Sequence, residues 1–153
     1  LLRASSSISK ATFRLGDEEY GVEILRVTTI IRMLDITMVP DTPHYVRGVI
    51  NLRGKVIPVV DMRIKFCLGE AEDTNETCVI VVDVRQEEGD IQMGIIVDSV
   101  SEVLDVSEAD IEDTPAFGGQ NRDDILGIAK IDDAVKMLLD IDRVLGGEVI
   151  EVA

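Results

Sequence analysis

Apolar and polar residues alternate over 11–15 and again over 19–24, with Gly16-Asp17 between them, which predicts two antiparallel strands joined by a tight turn. The β-branched run 27–31 extends the strand pattern, and 33–39 reads as another short strand stopped by Pro40. Asp41-Thr42-Pro43 resembles a helix start, so a helix is expected over 44–51 with Val46, Val49 and Ile50 on one face and Gly48 inside it. A turn at Arg53-Gly54 then leads into Val56-Ile57-Pro58-Val59-Val60, too short for a stable helix and rich in β-branching. Pro58 donates no ladder hydrogen bond, which places this strand at an edge, at a bulge or at the corner of a closed barrel.

Farther along, 63–68 suits one helical turn, 69–76 an acidic loop and 77–84 a buried strand. A turn at 86–90 precedes a strand pair over 91–106 that breaks near Asp98-Ser99. Polar residues at 107–110 and a loop at 118–124 separate this pair from further strands over 125–141. Arg143-Val144-Leu145 before Gly146-Gly147 suits a short terminal helix. The serine-rich segment 1–10 is expected to be a flexible arm and 149–153 a tail.

Turn and strand signals occur twice. Gly16-Asp17-x-x-Tyr20-Gly21-Val22 matches Gly89-Asp90-x-x-Met93-Gly94-Ile95, and Asp41-Thr42-Pro43 matches Asp113-Thr114-Pro115. Arg47-Gly48-Val49 and Val59-Val60-Asp61-Met62 match Leu126-Gly127-Ile128 and Leu138-Leu139-Asp140-Ile141 with the same internal spacing. The fold expected from this repeat is all-β, mostly strands with short helices, as two similar small barrels packed together. The arginine turn occurs in the first copy alone, since Asp132-Asp133 takes its place in the second.

Composition narrows the function. At 153 residues the chain is long enough for one cored domain, and its formal charge of −15 opposes binding to nucleic acid and to anionic membranes. Cys67 and Cys78 form no CxxC and have no histidine near them, so two reduced thiols are expected, with no metal and no cofactor. The chain begins at Leu1, as expected of a trimmed protein, and no apolar run approaches the ~18 residues of a membrane span.

The paired Asp-Thr motifs raise an aspartic hydrolase built on Asp41 and Asp113. Aspartic proteases place glycine after Asp-Thr, whereas both copies here have proline, and helix capping accounts for the same residues. His44, the one histidine, accompanies no nucleophile motif and reads as an exposed helix residue. Arg53 stands out instead: a guanidinium on a tight turn can grip a carboxylate through two parallel hydrogen bonds, as protein interfaces do.

The segments 16–24, Arg47-Gly48-Val49-Ile50-Asn51-Leu52-Arg53-Gly54 and Ile57-Pro58-Val59-Val60-Asp61-Met62-Arg63 resemble the CheW family of bacterial chemotaxis coupling proteins. The resemblance implies a cytoplasmic, non-enzymatic adaptor made of two five-stranded SH3-like barrels. It would bridge the cytoplasmic tips of membrane-bound chemoreceptors to the regulatory domain of the CheA histidine kinase. It further implies one domain over 11–148, with one subdomain near 20–82 and the other from 11–19 plus 83–148.

By matching positions, the receptor-side groove maps to Val27, Gly48, Arg53, Val56, Val100 and Val103, and the kinase contact to Ile24 and Phe117. Thr29 stands where some relatives carry a glutamate able to pair with the turn arginine, and Glu112 where some carry an arginine. Related domains also end the CheA kinase itself and form part of CheV proteins, so a regulatory fragment of either is the alternative reading.

Overall fold

The computed structural model describes residues 7–68, 72–87, 89–112, 125–131 and 133–145. In chain order the strands are β1 (Ser7–Leu15), β2 (Glu18–Glu23), β3 (Val27–Arg32), β4 (Val46–Leu52), β5 (Lys55–Asp61), β6 (Cys78–Gln86), β7 (Gly89–Val97), β8 (Ser99–Ser107), β9 (Ile111–Glu112), β10 (Ile125–Ile131) and β11 (Ala134–Leu139). Two short helices, α1 (Met62–Lys65) and α2 (Ile141–Leu145), follow β5 and β11.

The strands form two sheets, in the orders β3-β6-β7-β5-β4 and β8-β1-β2-β11-β10-β9. The fold is all-β as expected, and the second sheet's sixth strand, β9, is only two residues long. The repeat is visible in the pairing. Each sheet contains one parallel pair, β5 with β7 and β2 with β11, and each has a bulge just before the matched glycine, at 46–48 in β4 and 125–127 in β10. Each helix also begins on the matched aspartate: Asp61 accepts from the Arg63 N–H at 3.0 Å and Asp140 from the Asp142 N–H at 3.1 Å.

The sheets divide the chain differently from the expected subdomains. One sheet takes the strands from 27 to 97 and the other those of 7–23 and 99–139, so the expected boundary at 82/83 falls inside β6. The N-terminal hairpin β1–β2 completes the sheet formed mainly by the C-terminal strands.

Three further expectations are corrected. The helix over 44–51 is strand β4, because Val46, Gly48 and Ile50 are buried in alternation and its glycine hides that period in the sequence. The strand over 33–39 is an irregular strap with one bridge, Thr37 to Val49. The arm over 1–10 is already strand from Ser7, where 7–10 pair with 104–107 of β8. Pro58 does not lie on an edge either. Strand β5 runs between β7 and β4, and its pairing with β7 starts one residue later, at Val59, so the missing N–H interrupts no rung of that ladder.

The strap explains Gly48. Its φ is +141°, and a Cβ would lie 2.1 Å from the Thr37 carbonyl oxygen. The close approach lets Thr37 and Val49 exchange two backbone hydrogen bonds of 2.9 and 2.8 Å. Gly48→Ala should therefore cost about 2–4 kcal/mol, read as a lowered urea midpoint, and an unchanged midpoint would refute this account.

One core lies between the sheets. Phe13, Leu15 and Val22 of one sheet pack with Val60, Ile80, Val82 and Ile95 of the other. Smaller cores fill the opposite faces: Ile50, Ile57, Val59 and Val81 in the first sheet, and Val106, Ala129 and Leu138 in the second. Each fully buried aliphatic side chain contributes about 1.5–3 kcal/mol, so the shared core couples the two halves strongly.

Candidate functional site

Cross-strand partners show which way the predicted groove residues face. Val27 pairs with Val82, Val100 with Phe13 and Val103 with Ala11, all three partners being members of the core between the sheets. Val56 shares the parity of Val60, which also belongs to that core. Val27 and Val100 are half-buried against this core, whereas Val56 and Val103 are 56% and 57% exposed. All four valines thus lie on the inter-sheet faces, two against the core and two reaching solvent. Ile91 adds to them: it pairs with buried Val84 of the same core, is itself exposed, and was not singled out by the sequence.

Arg53 sits at the tip of the β4–β5 hairpin. Leu52 pairs with Lys55, leaving Arg53-Gly54 as a two-residue loop with φ of +54° and +85°. Such a loop favours Asn-Gly, because both residues are left-handed, and an arginine there costs about 1–2 kcal/mol. The Asn51 carboxamide oxygen accepts from the Gly54 N–H at 2.9 Å and closes the turn, while the Arg53 side chain extends into solvent.

The other predicted residues lie elsewhere. Gly48 is buried beneath the strap and offers no surface of its own. Ile24 is half-buried against the shared core in a single 3₁₀ turn, beside Leu25, which is 81% exposed. Phe117 and Asp113 lie outside the described residues. Asp41 has φ +61° and lines a surface cleft.

The strongest electrostatic feature was missed by the sequence reading. Arg63 of α1, 1% exposed, donates to Asp61 through Nε and Nη2, both at 3.0 Å, to Asp73 at 2.9 Å and to Asp98 at 3.1 Å. Arg47 also donates to Asp61 at 3.0 Å, and Asp98 accepts the Gly16 N–H at 2.7 Å. One guanidinium therefore ties α1 to the β1–β2 turn of the opposite sheet. Burial opposes its charge, but hydrogen bonds to Asp61 and Asp73 outweigh that cost and raise its pKa above the ordinary guanidinium value. The second copy carries a counterpart of reversed polarity: Asp142 of α2 accepts from Arg26, which also donates to the Asp83 carbonyl.

These networks predict acid sensitivity. The Arg63 hydrogen bond, chiefly, holds the Asp73 carboxyl below its ordinary value; at Asp142 burial pushes upward, and Arg26 and the Arg85 N–H more than reverse it. A depressed folded-state pKa stabilises above the unfolded value, about 4, and that stability is lost as pH falls through the folded value. The urea midpoint should thus decline below about pH 4, and Asp73→Asn should make that decline shallower.

Among the described residues no group of three His, Cys, Asp or Glu side chains is arranged to hold a metal ion, and no helix is long and apolar enough to cross a membrane. Burial pushes the Cys78 thiol up, away from the reactive thiolate.

The model of the CheW-like domain matches residues 11–149. The chain belongs to the CheW-like family. It is 37% identical over 142 residues to the chemotaxis protein CheW of Rhizobium meliloti, covering 92% of this chain and 89% of that protein. It is 36% identical over 137 residues to the CheW of Bacillus subtilis, covering 89% and 85%. The crystal structure of the scaffolding protein TtCheW from Thermoanaerobacter tengcongensis superposes with a TM-score of 0.83 at 30% identity, covering 96% of this chain and 99% of that one. This CheW-like chain is a chemotaxis coupling adaptor and not an enzyme, which sets aside the hydrolase reading of Asp41 and Asp113.

Proposed function

We propose that this CheW-like adaptor couples the cytoplasmic tips of chemoreceptors to the regulatory domain of the CheA histidine kinase, working in the cytoplasm at membrane-bound receptor arrays. The single observation that carries the reading is the set of valines at 27, 56, 100 and 103 on the inter-sheet faces of the fold, with a protruding arginine turn on the same hairpin as Val56.

A receptor helix lays one apolar face along these valines, burying surface that the isolated protein leaves wet at Val56 and Val103. Arg53 caps the contact by gripping a receptor carboxylate, and Gly48 keeps the hairpin under its strap. The kinase domain docks on a separate surface around Ile24 and Phe117. Signal passes through contacts and their geometry with no bond made or broken.

Titrating the labelled protein with a receptor-tip fragment, and separately with the kinase regulatory domain, tests this. Saturable binding to each, with neither displacing the other, is expected. Absence of saturable binding to both would sink the proposal.

A further inference from the structure

A second surface lies on the strap between β3 and β4. Two clefts, of about 510 and 470 Å³, flank Met38 and share both Met38 and Arg47. None of Val27, Val56, Val100 and Val103 lines either cleft. Met38 is 81% exposed and forms a ridge between them, with Leu34 exposed alongside.

The ridge is held in place. Thr37, next to Met38, is pinned to Val49 by two backbone hydrogen bonds, and the Thr42 hydroxyl donates to the Val39 carbonyl at 2.9 Å. The pinned backbone needs little further ordering on docking, and the flexible thioether of Met38 adapts to an apolar partner.

Charge selects that partner. One cleft is lined by Asp41, Asp61 and His44 and the other by Asp35 and Asp73; Asp61 and Asp73 are already paired with Arg63 and Arg47, so the exposed carboxylates of Asp35 and Asp41 are the ones a partner's cations would face. Arg47 already donates to Asp61 at 3.0 Å and to Asp73 at 3.5 Å, so it is no anion receptor. The surroundings of the ridge are net acidic. The chain's overall −15 likewise disfavours a second copy of itself or an anionic surface.

We propose that the Met38 ridge and its two clefts are a docking site for a basic, amphipathic segment of a partner protein. Apolar side chains of that segment fill the clefts on either side of Met38, and its lysines or arginines face Asp35 and Asp41. The site is independent of the valine surface.

The probe is a fluorescent amphipathic peptide of leucine and lysine, titrated into the full chain, beside a leucine–glutamate peptide and a serine–lysine peptide. The leucine–lysine peptide should bind saturably and the other two at least about tenfold more weakly. Met38→Asp adds negative charge on a fully accessible side chain, so diffuse electrostatic attraction would hold or strengthen binding. The proposal instead requires a loss of about tenfold or more, with the urea midpoint and the receptor-tip affinity unchanged. Undiminished binding by that variant, equal binding of the serine–lysine peptide, or no saturable binding by the leucine–lysine peptide would each overturn it.

Discussion

Arg63→Ala is expected to destabilise the protein by about 3–5 kcal/mol, because it leaves the carboxylates of Asp61, Asp73 and Asp98 facing one another around a vacated buried site. For a chain of this size that is a fall in Tm of about 6–20 °C. Asp61 and Arg63 are both almost wholly buried, so solvent cannot take over the lost contacts. Arg63→Lys should recover only part of the loss, since an ammonium cannot reproduce the two parallel hydrogen bonds to Asp61. Thermal unfolding of the three proteins measures this directly. A Tm for Arg63→Ala within a few degrees of the parent would show that the network is not what joins α1 to the opposite sheet.

The second large effect separates stability from function. Arg53→Asn places at the hairpin tip the residue that its left-handed backbone favours, so the fold should gain up to about 1 kcal/mol. The same change removes the guanidinium that the proposed contact would offer to a receptor carboxylate. A charge-assisted contact of this kind is worth about 1.5–3 kcal/mol, so receptor-tip affinity should drop about 10- to 100-fold. Arg53→Asp should lose at least as much affinity, again with the fold intact. Paired urea denaturation and receptor titration decide the matter. A variant that binds normally would make Arg53 an ordinary turn residue, and one that unfolds more easily would make it structural.

Much of the fold was legible in the chain because alternation marks half-buried strands wherever the residues themselves alternate. The hairpins around Gly16-Asp17 and Gly89, the strands of 125–139 and the doubled architecture all follow from such signals. Strand β4 imitates a helix in the sequence because Val46, Val49 and Ile50 satisfy a helical spacing, whereas the real period runs through Gly48, which has no side chain to reveal it. The start of β1 was hidden for a related reason: residues 7–10 are mostly polar, and β8 supplies their pairing from 94 or more residues away.

The candidate site was legible in part. The arginine turn is conspicuous in the chain, and its left-handed strain is the backbone expression of the same feature. Val56 and Val103, by contrast, look like ordinary core valines, and only the resemblance picked them out. Their exposure depends on where one sheet stops covering the other, which no local pattern encodes. The Arg63 network was invisible for the same reason, since Asp73 and Asp98 lie 10 and 35 residues downstream of Arg63 and meet it only through tertiary packing.

The central claim, that the inter-sheet valines receive the receptor helix, is tested most directly by valine-methyl NMR during titration with a receptor-tip fragment. The largest shifts should fall on Val27, Val56, Val100 and Val103, with core valines such as Val81 and Val106 little changed. Saturable binding whose largest shifts fall on other valines would contradict the claim.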